Sequence, residues 1–245
     1  MDLLRGAVGD PALEVSLAHA LLRQVSAGAA GPVLRVYRPQ EPTCAFGRRD
    51  VRLPGFGWAV DRARAAGFAP VVRAPGGRVV AYTTRALVVD HVSPDPEWPS
   101  GLDGRFTEYG QLWADVLRGF GVDARVGEVP GEYCPGSASV NARGVVKLVG
   151  TAQRMVRGAW LFSAVLVHDD ADVLRPVLEG VYRDLDLPFA TSTVGSVREE
   201  APDASLDVLE EAVLAAYDQR FGLSPAPLSP DLLARARDLV VDHQP

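Results

Sequence analysis

Residues 137–167 hold the pattern that most limits the fold of this chain. Two extended segments, Ser137–Val140 and Val145–Val149, flank Asn141-Ala142-Arg143-Gly144, whose Asn and Gly suit the positive φ of a tight hairpin turn. Thr151–Val156 and Ala159–Val167 then follow across Arg157-Gly158. Turns this short join antiparallel neighbours, because a parallel crossover needs a dozen or more residues. An antiparallel sheet therefore lies at the centre of the chain.

Upstream, Asp10 and Pro11 suit the N-cap and first position of a helix on which Leu13, Leu17, Leu21 and Val25 share a face. Strands are predicted over Leu34–Tyr37, Cys44–Gly47, Val71–Arg73, Arg78–Tyr82 and Ala86–His91, with Ala124–Val129 extended. Helices are predicted over Trp58–Ala66, Thr107–Phe120, from about Asp172, and over Ser205–Phe221 and Asp231–Val241. Pro176 is expected in the first turn of its helix, where a missing N–H matters least. Hairpin links outnumber crossovers, so the chain reads as α+β, with a mixed, largely antiparallel sheet enclosed by helices. We expect a single domain over residues 1–245, with residues 199–245 a helical C-terminal extension.

Composition narrows the function classes. At 47 % hydrophobic and 23 % charged residues the chain is an ordinary globular sequence, not a disordered one. Its net charge of -6, with no basic block, argues against a nucleic-acid partner. Apolar runs such as Ala159–Val167 fall far short of the ~20 residues that span a bilayer, and Met1–Asp10 has no signal-type apolar core, so a cytoplasmic protein without a membrane partner is expected. The four histidines, His19, His91, His168 and His243, show no ligand spacing, and no metal is expected. Cys44 and Cys134 are expected as free thiols, with Cys44 structural.

One asymmetry stands out. Of 25 basic residues, 24 are arginine and one is lysine, Lys147. In such a chain a lone lysine suggests a site that wants a compact ammonium rather than a guanidinium fork. On a strand, Lys147 shares a face with Val145 and Val149, so its stem can be buried while its amine points at a site. Exchange for arginine is then expected to spare stability. Cys134 lies thirteen residues away in the Gly/Pro-rich stretch Gly131-Glu132-Tyr133-Cys134-Pro135-Gly136, and a nearby ammonium favours the reactive thiolate. The other candidate is Arg73-Ala74-Pro75-Gly76-Gly77-Arg78, where paired glycines let backbone approach a ligand and Arg73 and Arg78 can meet an anionic group. No P-loop is present, since Lys147 follows Val146 rather than glycine.

At these residues the sequence resembles the biotin/lipoate A/B protein ligase and octanoyltransferase superfamily, over roughly Leu13–Ser196. Arg73–Val80 looks like its Arg-x-x-Gly-Gly loop, and Gly144-Val145-Val146-Lys147-Leu148-Val149-Gly150-Thr151-Ala152-Gln153 looks like its Gly-x-x-Lys-x-x-Gly-x-Ala-Gln strand. Tyr133-Cys134-Pro135-Gly136 is similar to the segment that carries the nucleophile in cysteine-dependent octanoyltransferases, and Cys44–Asp50 matches an early strand. Two features depart from many relatives: Arg78 stands in place of a third loop glycine, and Tyr82 falls near a histidine position.

The resemblance implies a biotin/lipoate protein ligase-like catalytic domain. It implies transfer of an octanoyl or lipoyl group to a lysine of a lipoyl-domain protein through a Cys134 thioester, with Lys147 as the second catalytic residue stabilising the oxyanion. Arg73, Gly76, Gly77, Arg78, Gly150 and Ala152 would bind the acyl group, and the donor would be an acyl carrier protein or an acylated carrier domain. Transfer of this kind requires no cofactor. The separate accessory domain of many ATP-dependent ligases has no room after Ser196, which also favours transfer. The alternatives are an ATP- and Mg-dependent lipoate or biotin ligase acting through an acyl-adenylate, and a non-catalytic binder of acyl groups or carrier domains.

Overall fold

The computed structural model describes residues 1–95 and 101–245. In chain order the elements are β1 (Asp2–Arg5), α1 (Pro11–Ser26), β2 (Val33–Tyr37), β3 (Thr43–Phe46), α2 (Phe56–Ala65), β4 (Ala69–Val72), β5 (Val80–Tyr82), β6 (Ala86–Pro94), α3 (Leu102–Arg118) and β7 (Ala124–Val126). There follow β8 (Val140–Ala142), β9 (Val146–Val156), β10 (Ala159–Val167), α4 (Ala171–Asp184), α5 (Val197–Glu200), α6 (Leu206–Phe221), β11 (Ser224–Pro225) and α7 (Pro230–Asp238).

Eight strands form one sheet in the order β11-β1-β2-β6-β10-β9-β8-β7. Among the described residues only β1 pairs in parallel within this sheet, with β2 and β11, so the α+β, largely antiparallel architecture is what forms. A smaller sheet, β4-β3-β5, lies apart from it, which the sequence reading did not separate. The physical reason for two layers is that the strands of both are buried. β2 and β3 are buried at every position, so each needs cover on both faces.

Side-chain alternation sorts the large sheet. Leu34, Leu87, Val89, Phe162, Ala164 and Leu166 pack with Trp113 of α3 and Tyr217 of α6 in one cluster. The intervening residues, among them Tyr37, Val88 and Val165, face α1, α4 and the small sheet in another cluster. The functional cavity lies on this second side. Residues 199–245 are integrated with the rest: Leu209, Val213 and Tyr217 enter the core, Leu232 and Ala236 pack on α1, and β11 adds to the sheet edge.

Local chemistry explains several boundaries. The Asp10 carboxylate accepts the Leu13 N–H at 2.8 Å and Pro11 opens α1, as expected. The hairpin turn sits two residues later than its expected start: Asn141 and Ala142 belong to β8, and Ala142 pairs with Val146. Arg143 (φ 57°) and Gly144 (φ 74°) supply the left-handed pair, and the Asn141 side chain caps the turn by accepting from Gly144 N at 2.7 Å. Ala124–Val129 is a strand only to Val126, and α3 begins at Leu102 rather than Thr107. Pro176 is not in the first turn of α4. The helix starts at Ala171, so Pro176 is the sixth residue and removes one interior hydrogen bond.

Candidate active site

The loop between β7 and β8 presents Cys134 with an unusual backbone. Its φ of 44° lies in the left-handed region, rare for a residue with a side chain. Both polar backbone atoms are held. Cys134 N donates to the Tyr182 hydroxyl of α4 at 2.6 Å, and Cys134 O accepts from Lys147 Nζ at 2.8 Å. Tyr182 in turn donates to Val79 O at 3.0 Å, and burial pushes its phenol well above the ordinary value, so it keeps its proton. A strained residue tied at both ends is a fixed one.

The sulfur meets the glycine-rich loop. Cys134 Sγ accepts from Arg78 N at 3.2 Å and from Arg73 Nη2 at 3.3 Å. Gly77 (φ 98°) closes the contact, because a Cβ there would stand 2.6 Å from both the sulfur and the Arg73 guanidinium. Arg73, Gly77, Arg78 and Cys134 are therefore brought together, with one change of role: the bare face of Gly77 admits the cysteine sulfur. The loop itself rests on the turn after β3. A Cβ on Gly47 would reach within 2.0 Å of Gly77 O, and buried Asp50 accepts from Gly47 N and pairs with Arg78 Nη1 at 3.2 Å. Gly76 donates its N–H to Gln153 O at 3.1 Å and is otherwise open. Arg154 fixes the same loop through Ala74 O at 3.1 Å, while Gln153 bonds Arg105 and Leu102 O of α3.

Lys147 is buried, as its expected role required, but it lies behind the cysteine loop. Its ammonium donates to Cys134 O, to Tyr133 O at 3.0 Å and to Glu132 Oε1 at 3.3 Å, so all three donors are used. The cation next to the sulfur is thus Arg73, not Lys147. Val145 does not share the buried side, since it sits half-exposed in the turn. Glu132 completes the arrangement by accepting from Val129 N, Gly136 N and Ser139 Oγ. Gly150 lies against the lysine stem, where a Cβ would stand 3.3 Å from Cε.

Three residues of this machinery escaped the sequence reading. Glu132 carried a signal, an acid inside a Gly/Pro loop, and Asp50 closes the early segment singled out by resemblance. Tyr182 carried none, because it reaches Cys134 from a helix 48 residues away.

From the cysteine a narrow cavity of about 60 Å³ runs between the large sheet and the small one. Arg73, Cys134, Gly150 and Ala152 line it, with apolar walls from Val15, Val80, Val88 and Val165. Apolar walls with a few convergent polar groups have the character of a small-molecule site. Cys44 lies outside it, fully buried, and burial pushes its thiol far up, which leaves it unreactive. His19 and His243 bond each other, His168 bonds Ala204 O, and His91 sits among aromatic rings. Among the described residues, no three His, Cys, Asp or Glu side chains are grouped to hold a metal, and no helix is long and apolar enough to cross a membrane.

Comparison with known proteins places this arrangement in a family. An octanoyl-[GcvH]:protein N-octanoyltransferase from Geobacillus kaustophilus is 30 % identical over 173 residues, covering 71 % of this chain and 60 % of the relative. One of the same description from Exiguobacterium sibiricum is 35 % identical over 136 residues, 54 % of this chain and 48 % of the relative. The matches thus span about half to three-fifths of the length of these curated relatives. A crystal structure of lipoate-protein ligase A bound with ATP superposes with a TM-score of 0.77 at 22 % identity, covering 98 % of this chain and 93 % of the other. A bipartite lipoate protein ligase from Thermoplasma acidophilum, described with its E2 lipoyl domain, gives 0.74 at 21 % identity, covering 98 % and 91 %. These two establish the fold. The family model for the lipoyl protein ligase A/B catalytic domain matches residues 10–218, and the chain belongs to that family.

Proposed function

We propose that this chain transfers a medium-chain acyl group, octanoyl or lipoyl, to a lysine of a lipoyl-type carrier domain through a thioester on Cys134. The observation that carries the reading is the sulfur at the mouth of an apolar cavity, receiving the Arg78 N–H and the Arg73 guanidinium from a backbone pinned by Tyr182 and Lys147. Two donors aimed at one sulfur suit a residue that attacks as a sulfur nucleophile. The curated relatives, named as octanoyl-[GcvH] transferases, support the same chemistry and a carrier-protein partner.

In the first step the Cys134 thiolate attacks the acyl carbonyl of a thioester or acyl-lysine donor, an acyl carrier protein or an acylated carrier domain. The S–C bond forms, the donor's C–S or C–N bond breaks, and the donor leaves as thiol or amine carrying the proton that Cys134 gave up on becoming the thiolate. In the second step the neutral acceptor amine attacks the enzyme thioester, the C–N bond forms, the C–S bond breaks, Cys134 leaves as thiolate and the amine's surplus proton passes to solvent. Arg78 N and Arg73 Nη2 stand closest to the carbonyl in both steps and receive the developing oxyanion. Lys147 is a positioning residue in this reading, acting through the carbonyl oxygen of Cys134. No nucleotide enters; ATP and Mg belong to the ligase alternative.

Intact-protein mass spectrometry after incubation with octanoyl-carrier protein tests the reading, with and without ATP. A hydroxylamine-labile octanoyl adduct that maps to Cys134 and passes to a lipoyl domain without ATP is expected. Adduct on Cys44, or on no cysteine despite turnover, overturns the Cys134 thioester, and product only from free acid and ATP replaces it with the ligase mechanism. Binding without turnover leaves a carrier-domain or acyl-group binder.

A further inference from the structure

Most arginines of this chain are spent on carboxylates, as Arg5, Arg35, Arg62, Arg125 and Arg143 are. Beside the active-site loop the pattern breaks. Among the described residues, Arg48, Arg49 and Arg52 have no carboxylate within ion-pair distance and no side-chain hydrogen bond, and all three are exposed. The 3₁₀ turn Asp50–Arg52 explains their arrangement. With three residues per turn, side chains three apart eclipse, so Arg49 and Arg52 stand on one side while Asp50 is turned inward and buried. Val51, between them, is 43 % exposed, and Trp58 follows at the start of α2, 71 % exposed. That helix is set against the end of β3 by Phe56, which meets Phe46 edge to face with ring centroids 5.2 Å apart.

This surface adjoins the nucleophile. Gly47 lies with its bare face on Gly77 O, and Asp50 pairs with Arg78 Nη1 at 3.2 Å. The next contact inward is Arg78 N on Cys134 Sγ at 3.2 Å, so the backbone of residues 77–78 stands between the exposed arginines and the sulfur. On the other flank Arg154 donates to Ala74 O of the same loop, and the like charges of Arg48 and Arg23 add to burial in lowering its pKa. Positive charge is therefore gathered around one loop in a chain whose net charge is -6. A negatively charged macromolecule is repelled by such a molecule as a whole and attracted at this face, which orients its approach. Arg48, Arg49 and Arg52 do not line the acyl cavity. Exposed along a turn beside Val51 and Trp58, they suit an extended acidic surface better than one enclosed anion, and arginine with tryptophan is the composition of protein interfaces.

We propose that Arg48, Arg49 and Arg52 form the docking surface for the acylated carrier domain, which meets them with a carboxylate-rich face next to its acyl-bearing group. The inference rests on the acyl-transfer reading and adds the surface that holds the carrier. The cavity takes the acyl chain, and the turn takes the protein that delivers it. Charges at such a rim act mainly on encounter and orientation, and salt screens them within ~8–10 Å at ordinary ionic strength.

The test separates docking from chemistry. Octanoyl-N-acetylcysteamine reaches Cys134 without a carrier, so its acylation rate reports the site alone. Octanoylated GcvH, the carrier in the names of the curated relatives, reports docking as well. With Arg48→Glu, Arg49→Glu and Arg52→Glu combined, we expect kcat/KM for octanoylated GcvH to fall at least about tenfold and acylation by the small thioester to stay within about twofold of the parent. Raising NaCl from about 50 mM to about 500 mM should slow the carrier reaction of the parent severalfold and that of the variant little. Equal carrier kinetics in parent and variant, or equal losses with both substrates, overturn the inference. If the glutamate variant fails to fold, the same comparison with Arg48→Gln, Arg49→Gln and Arg52→Gln decides. If the small thioester leaves Cys134 of the parent unmodified, the thioester mechanism is what fails. Calorimetric binding of GcvH then judges the docking surface by itself, with weaker binding by the variant expected and equal binding overturning it.

Discussion

Gly77 has no side chain where Cys134 has its sulfur: a Cβ on Gly77 would lie 2.6 Å from Sγ. Positive φ at both residues, 98° and 44°, makes the contact possible from two separate loops. Gly77→Ala therefore strains its own backbone and displaces the nucleophile together with the Arg73 guanidinium. We expect acylation of Cys134 to fall by a hundredfold or more, a loss comparable to removing an oxyanion donor. Stability should fall by about 1–2 kcal/mol. Normal acylation kinetics in this variant would show that the close approach is incidental.

Lys147 and Glu132 form a buried pair at 3.3 Å beneath the cysteine loop. Lys147→Met leaves Glu132 as a buried carboxylate with its ammonium gone, which typically destabilises by ~3–5 kcal/mol. Removing the charge as well, in Lys147→Met with Glu132→Gln, should restore part of that loss. Lys147→Arg should also destabilise, because a larger fork must enter a fully buried position, whereas the sequence reading expects stability to be spared. Urea unfolding of the three variants checks the order. A Lys147→Arg protein as stable as the parent would restore the sequence-based view of a residue lying loosely along a strand.

The Tyr182 hydroxyl serves two backbone groups at once, accepting from Cys134 N and donating to Val79 O. Tyr182→Phe orphans both in a buried setting, at about 1–3 kcal/mol. The more telling readout is chemical. With its backbone released, Cys134 can relax from φ 44° and withdraw from Arg78 N, so its alkylation by iodoacetamide should slow several-fold at constant pH. An unchanged alkylation rate in a destabilised protein would make Tyr182 structural only.

How much of this was legible follows from range. The hairpin ladder of β8, β9 and β10 was readable because its signals are local: alternation, and turn residues between. The Arg73–Arg78 loop and Cys134 were readable as separate segments, because glycine pairs and a cysteine among Gly and Pro mark themselves. Their meeting was not, since it depends on the small sheet, and β3 reads as an ordinary strand with nothing to show that it leaves the main one. Lys147 was picked out by composition, but the composition could not tell an ammonium that faces a ligand from one that holds the backbone of the residue that does. Pro176 was misplaced for a simpler reason. Counted from the expected start at Asp172 it is already the fifth residue, past the first turn, and the helix begins one residue earlier still, at Ala171.

Acid should unfold this protein through its buried histidines. His91 is packed among Tyr109, Trp160, Tyr217 and Phe221, its Nδ1 has no hydrogen-bond partner, and burial lowers its pKa from 6.5 to about 3. His19 is lowered to about 4, first by burial and then by His243. The sign is fixed by linkage: below pH 6.5 the unfolded chain takes up protons that the native chain refuses until about pH 3–4, so stability falls as pH falls through that window. Each such histidine contributes a slope of about 1 kcal/mol per pH unit. Buried Asp50 and Asp90 act in the opposite sense, because burial raises their carboxyls and the native state binds their protons first. A difference measurement separates the two. His91→Phe keeps an aromatic ring in the cluster and removes both the proton site and the unpaired nitrogen, so it should match or exceed the parent melting temperature at pH 7.5. Between pH 6.5 and 4.5 its advantage should widen steadily, by several degrees in all. Parallel melting curves for the two proteins across that range would show that His91 carries none of the acid sensitivity.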